Sequence, residues 1–227
     1  MEFATLTMLD WDPLWLTLRV ATLATLVALV LGTASALLFA RVRFPGRDVL
    51  DAILTLPMVM PPTVLGYYLI VVFGRNGWFG PWLEQTFGIH LIFTWQGAVV
   101  AAAIVAFPLV FKSARAAFEN IEPTLERAAR TLGSTEPAVF FRVTLPLATR
   151  GIVAGTLLAY ARAMGEFGAT LMIAGNLPGR TQTLSMAVYD AVQAGDQARA
   201  DMLVVVISVT CVLILVVSGR LLGPRHH

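Results

Sequence analysis

The stretch EPTLERAARTLGSTEPAVFFRVTLPLATR, residues 122–150, is the longest polar interval in a chain that otherwise alternates apolar runs with short loops. Leu125, Ala128, Ala129 and Leu132 recur at helical spacing and put a small apolar stripe on one face. Glu126 stands four residues before Arg130, the favourable order for a surface ion pair. Pro123 suits a first helical turn and Gly133 a helix stop. From Ser134 a second short helix is expected. It carries Val139, Phe140, Phe141 and Val143, and Leu145-Pro146 ends it before the next apolar run. The pattern predicts a helix–turn–helix shelf between two spans, with residues small enough to let another protein approach.

The flanking runs identify the environment. The 227 residues are 57% hydrophobic and 13% charged, with a mean hydropathy of +0.76. Soluble domains are about 25% charged. The composition therefore predicts an all-α integral membrane protein of about five transmembrane helices. A net charge of +2 comes from Arg residues scattered along loops, which gives topology signals rather than a nucleic-acid face. The single cysteine, Cys211, lies in an apolar run, so no intrachain disulfide or thiolate metal site is expected. No Gly-x-x-x-x-Gly-Lys-Ser/Thr loop occurs, which excludes nucleotide binding of the P-loop kind by this chain.

Residues 1–14 read as an external segment. They contain no Lys or Arg, unlike a secretory signal, and Asp10, Asp12 and Pro13 with Trp11 and Trp15 mark a helix entry at an interface. The membrane domain is read over 15–222 with its polar loop at 119–146. The spans are expected near 16–40, 49–73, 96–111, 147–175 and 202–222. Arg19, near the start of the first, can snorkel to the interface. Pro57, Pro61 and Pro62 remove three backbone donors from the second span, so it must be kinked or partly unwound; the bend either is structural or shapes a path. Pro108 is expected to kink the end of the third span, which is short unless the next turn extends it. Residues 74–94 read as an aromatic connection, and a short helix is expected over 185–193. The tail, 223–227, ends in His226-His227, read as a tag remnant rather than a metal site. With the N-terminus outside and the C-terminus inside, eleven Lys and Arg residues fall in cytoplasmic segments and three outside. This bias places residues 122–150 in the cytoplasm.

The fourth span carries Arg162 and Glu166, four apart and hence expected on one helical face. Arg162 would lie roughly 22 Å along a span begun near Leu147. An isolated charge at such depth costs about 2.5–3.5 kcal/mol, so both groups must face protein or a water-filled cavity. Two roles stand open: positive potential on an anion path with Arg162 held by Glu166, or an ion pair that locks helices. Gly165 and Gly168 permit close contact or a local break, and Gly151 and Gly155 form a GxxxG pattern. Thr170 offers a hydroxyl either to an anion or to its own helix.

Ala128-Ala129, Gly133 and Val143-Thr144-Leu145-Pro146 resemble the cytoplasmic EAA loop of bacterial ABC importer permeases. Counted back from Gly133, the position of that motif's Glu holds Arg127, with the acid one place earlier at Glu126, and Val143 replaces Ile. LTLPMVMPPTVLGYYL (55–70) and RAMGEFGATLMIAGNLPGRTQTL (162–184) resemble molybdate permeases strongly and sulfate permeases less. The resemblance spans about 14–222. It implies the non-catalytic transmembrane subunit of a type I ABC importer in the bacterial cytoplasmic membrane. Its cargo would be molybdate, with tungstate or sulfate/thiosulfate as alternatives. It further implies a homodimer, two ATP-binding subunits that hold ATP and Mg, and a periplasmic or lipid-anchored molybdate-binding protein. No cofactor, metal or nucleic acid would be bound by this chain. Glu126, Arg127, Ala128, Ala129, Gly133, Leu145 and Pro146 would serve coupling to the ATPase. Pro61, Pro62, Arg162, Glu166 and Thr170 would serve the translocation path. A different class, a secondary anion transporter or channel with Arg162 and Glu166 as ion relay, would show membrane charges and internal repeats. The chain has one such pair and no clear repeat.

Overall fold

A computed structural model describes residues 11–222. Most of the expected external segment and the whole of the expected 223–227 tail, with His226 and His227, lie outside the described residues. Every regular element described is helical: α1 Asp12–Arg41, α2 Arg47–Val59, α3 Pro62–Phe73, α4 Gly80–Phe87, α5 Trp95–Glu119, α6 Pro123–Thr131, α7 Glu136–Val139, a π turn Phe140–Thr144, α8 Leu145–Met164, α9 Gly168–Ala174, α10 Leu184–Gln193 and α11 Gln197–Leu222. Four stretches are long and apolar enough to cross a membrane, and five if the broken pair α2 and α3 counts as one span. The expectation of about five spans stands.

The second span breaks at Met60-Pro61, where Pro61 is extended (ψ 133°) and Pro62 opens α3 without needing a donor. Pro57 stays inside α2. Three expectations change. The third span is not short: α5 runs 25 residues, through Pro108 to Glu119. The second loop helix does not end at Leu145-Pro146. It passes through the π turn, where the Leu145 amide donates to the Phe140 carbonyl five residues back, and continues as α8. A π turn ahead of Pro146 is one way a helix takes in a residue that has no amide hydrogen. The fourth span does not run unbroken to Gly175; α8 stops at Met164 and α9 restarts at Gly168.

The chain forms two compact units. The first takes the described residues up to Leu23, Met60–Ala102 and Met164–Val212; the second takes Ala24–Val59, Ala103–Ala163 and the described residues from Leu213. Arg19, Arg75, Arg180 and Arg199 lie in the first, and every other described cation lies in the second, which carries the polar loop.

In the second unit, Phe39 of α1 meets Phe111 of α5 edge-on at 5.1 Å, and Phe107 stacks parallel to Phe111 at 5.8 Å. Ala148 and Ile152 of α8 are buried in the same cluster. The GxxxG pair earns its place here: a Cβ on Gly151 would stand 2.5 Å from Ala117 Cβ, and one on Gly155 2.5 Å from Ser113 Cβ. Ser113 Oγ donates to the Gly151 carbonyl at 2.7 Å. Small residues and a hydroxyl bond of this kind hold helices together where lipid removes the hydrophobic incentive. Asp51 of α2 accepts from Lys112 and Arg115 of α5, and Glu119 accepts from Arg47 and Arg115.

In the first unit α3 packs on α9. A Cβ on Gly66 would lie 2.5 Å from Met172 Cβ, and one on Gly168 would lie 2.7 Å from Pro62 Cβ. Gly66→Ala should therefore lower the thermal midpoint of the detergent-solubilised chain, an overpacking cost of about 1–3 kcal/mol. Gly219→Ala, where a Cβ meets nothing within 4 Å, should not lower it; differential scanning fluorimetry of the two variants compares them directly.

Candidate functional site

The polar loop is built around one inward-turned carboxylate. Glu126, midway along α6, is 3% exposed. Arg41, the last residue of α1, reaches it with both terminal nitrogens: Nη1 donates to Oε2 at 2.6 Å and Nη2 donates to Oε1. Thr144, the last residue of the π turn, donates its hydroxyl to Glu126 Oε1 at 2.7 Å. Arg130 stands at 3.7 Å, so the expected four-residue pair is a side contact of a tighter fork. The Arg41 bond, seconded by that of Thr144, holds the Glu126 carboxyl down to about 2 from an ordinary value of 4.5, against the opposing effect of desolvation. Arg130 instead bonds Glu136 at 2.6 Å, tying α6 to α7 in water.

With Glu126 turned inward, the rest of α6 faces out. Arg127 and Ala128 are exposed and Ala129 is half-buried. Leu125, Leu132 and Phe141 are exposed large apolar residues beside them. Gly133 sits at φ +81°, donates to the Arg130 carbonyl, and lets the Ser134 amide reach Ala129. This pair of bonds closes a helix end through a left-handed residue, which a side chain at 133 would strain. Leu145 packs against the aromatic core, whereas Pro146 is exposed. The loop thus presents a face of small and apolar side chains with one cation, Arg127, pinned from behind.

The residues expected on a path divide between the units. Pro61, Pro62, Glu166 and Thr170 belong to the first, and Arg162, in the last turn of α8, belongs to the second. The single-face reading of Arg162 and Glu166 is corrected, because the helix ends between them at Met164. Glu166 is 3% exposed, and its carboxylate accepts from the Ala169 amide at 2.9 Å, satisfying a free donor at the start of α9. Thr170 is 1% exposed on α9. Pro61 and Pro62 are exposed at the break.

The first unit also holds a cavity of about 500 Å³ lined by Asp12, Arg19, Trp95, Gln96, Arg180 and Thr181 among others. The Arg19 guanidinium lies 3.9 Å from the Trp95 ring centroid. At that distance the cation interacts with the face of the ring.

Residues 23–225 match the family described as "Binding-protein-dependent transport system inner membrane component". The chain belongs to that family. It is 44% identical over 209 residues to the molybdenum transport system permease protein ModB of Escherichia coli K12, covering 91% of each chain. It is 43% identical over 205 residues to the putative molybdenum transport system permease protein YvgM of Bacillus subtilis, covering 90% of each. The sulfate transport system permease protein CysT of Escherichia coli K12 is 37% identical over 199 residues, with 88% of this chain and 72% of CysT covered. Among solved structures, the inward-facing MetNI methionine ABC transporter aligns over 92% of this chain and 93% of its own with a TM-score of 0.69 at 20% identity. A bacterial ABC transporter of alginate import reaches 0.77 at 16% identity, covering 97% and 82%. At these identities the two structures speak for the fold. The chain is thus a multi-pass, all-helical inner membrane component of a transport system.

Two residues of this transport component escaped the sequence reading. Arg41 counted only as a topology charge, and Thr144 only as the variable place of a motif. Arg41 lies 85 residues from Glu126 and Thr144 lies 18 away, so no local periodicity links the three. Glu126 should behave as a carboxylate stabilised by folding. Its folded value lies below the unfolded one, so the stabilisation is complete above pH 4.5 and is lost as pH falls through about 2. The stability advantage of the native chain over Glu126→Gln should shrink across that window and stay constant above pH 5.5. Thermal melts of both proteins against pH check it.

Proposed function

We propose that this chain is the permease subunit of an ATP-driven importer that carries molybdate inward across the cytoplasmic membrane. The observation that carries the reading is 44% identity over 91% of the chain to a molybdenum transport permease, against 37% to a sulfate one. Two copies form the pathway, two partner subunits bind and hydrolyse ATP with Mg, and a molybdate-binding protein delivers the anion from outside. This chain makes and breaks no covalent bond; it binds no cofactor and no metal.

The outward face of α6 supports the assignment of coupling. Arg127, Ala128 and Ala129 form the contact, Gly133 sets its turn, and Glu126, Leu145 and Pro146 hold it in place. A cleft on the ATPase receives this face, and its motion drives the spans between outward and inward access. The cavity beside Arg19 and Arg180 supports docking of an acidic partner surface on the outer side. For the path, Pro61 and Pro62 supply a break in the second span. Glu166 caps the restart of the fourth, Thr170 follows it on α9, and Arg162 supplies positive potential for a dianion.

ATP-driven uptake into proteoliposomes, with the ATPase and binding protein present, tests this. Uptake of labelled molybdate should require ATP, resist excess sulfate and yield to tungstate. Suppression by sulfate would move the cargo to sulfate, and uptake without ATP would replace the mechanism with a secondary transporter. Ala128→Arg should leave the subunit inserted and abolish stimulated ATP hydrolysis, because a long cation replaces a methyl on the contact face. Arg162→Ala should slow uptake; unchanged uptake and unchanged complex stability would remove Arg162 from the path.

A further inference from the structure

The coupling loop contains a residue whose geometry contradicts a docking role. Glu126 takes its shortest polar contacts from behind the loop, from Arg41 at the end of α1 and Thr144 at the root of α8, with the exposed Arg130 farther off at 3.7 Å. Three elements meet on one buried carboxylate. We infer that Arg41, Glu126 and Thr144 form the joint through which displacement of α6 reaches the first and fourth spans, with Arg41 as a positioning residue for transport. The inference rests on the ATP-driven reading above.

The argument is mechanical. α6 has nine residues, too few to hold its own shape, and enters and leaves through turns at Asn120–Glu122 and Leu132–Thr135. Backbone turns alone bend before they push. A two-point guanidinium–carboxylate contact fixes distance and angle together, which a one-point contact cannot do. Thr144 adds the second direction, since its hydroxyl bonds the same Oε1 from the element that continues into α8. The Arg41 side chain is 41% exposed but the Glu126 carboxylate is buried, so opening the joint would leave that carboxylate without its counter-charge. The exposed Arg130–Glu136 pair also links α6 to the start of α7, which continues through the π turn into α8, but it lies in water and does not reach the first span.

The test uses the reconstituted complex and reads anion uptake per ATP hydrolysed, normalised to assembled complex. Arg41→Met should lower this ratio about tenfold, the scale of an ordinary coupling free energy. Arg41→Lys, which keeps the charge but not the fork, should recover part of it. A residue that only supports folding would lower the yield of complex and leave the ratio alone. Arg41→Cys with Glu126→Cys, placed in a Cys211→Ala background, supplies a second measurement should Arg41→Met fail to assemble. Unbridged, this double variant should be uncoupled; a bifunctional thiol reagent spanning the pair should restore the ratio. A native ratio in Arg41→Met overturns the joint, and so does a bridge that fails to restore uptake. Absence of ATP-driven uptake in the unmodified complex would instead reject the importer reading itself.

Discussion

A carboxylate taken out of water must be met by a partner of opposite charge and by enough donors to fill its lone pairs, or it stays protonated or solvated. Glu126 is met by two guanidinium nitrogens and a hydroxyl. That requirement ties together parts of the chain that are distant in sequence. The first span must end at the depth where Arg41 can reach. The π turn must place Thr144 on the inner side of the loop. α6 must be rotated so that residue 126, rather than 127, faces in. Once these conditions hold, the exposed face of the loop is determined.

The same bookkeeping governs the breaks in the spans. A helix interrupted inside lipid leaves amides and carbonyls without partners, so interruptions persist only where protein supplies them. At Pro61-Pro62 two positions have no amide to satisfy, and the Leu65 amide donates to the Pro61 carbonyl. At Gly165–Phe167 the Glu166 carboxylate takes the Ala169 amide, and α9 restarts against α3 with glycines on both sides of the contact, Gly66 and Gly168. A break covered by a capping acid and a close helix pair is a stable feature. It gives the second and fourth spans shapes that straight helices lack.

The sequence made the spans legible because apolar length and Arg placement are local quantities. It made α6 and its stop legible because Pro123, the Ala128–Ala129 face and Gly133 act within a few residues of one another. Its errors have one cause. Proline's local cost predicts a helix end at Leu145-Pro146, but a π turn lets the helix pass. A four-residue spacing puts Arg162 and Glu166 on one helical face only while the helix continues, and Met164 ends it. Spacing to Arg130 predicts a surface place for Glu126, whereas its nearer partner, Arg41, is 85 residues away. Local rules fail where a long-range polar contact decides which way a helix turns.

The displaced acid of the loop has a geometric meaning. One residue on an α-helix is a rotation of about 100°. Moving the acid from 127 to 126 therefore carries it from the exposed side to the buried side, and Arg127 takes the outward place. The outward charge of this loop is positive where the EAA pattern puts a negative one. A docking cleft that matched the pattern's Glu with a cation would repel Arg127, and like charges set against each other at an interface are costly. An ATPase docking on this loop, as proposed above, would have to offer Arg127 an acceptor or open water. The buried acid and the exposed cation follow from the same rotation of α6.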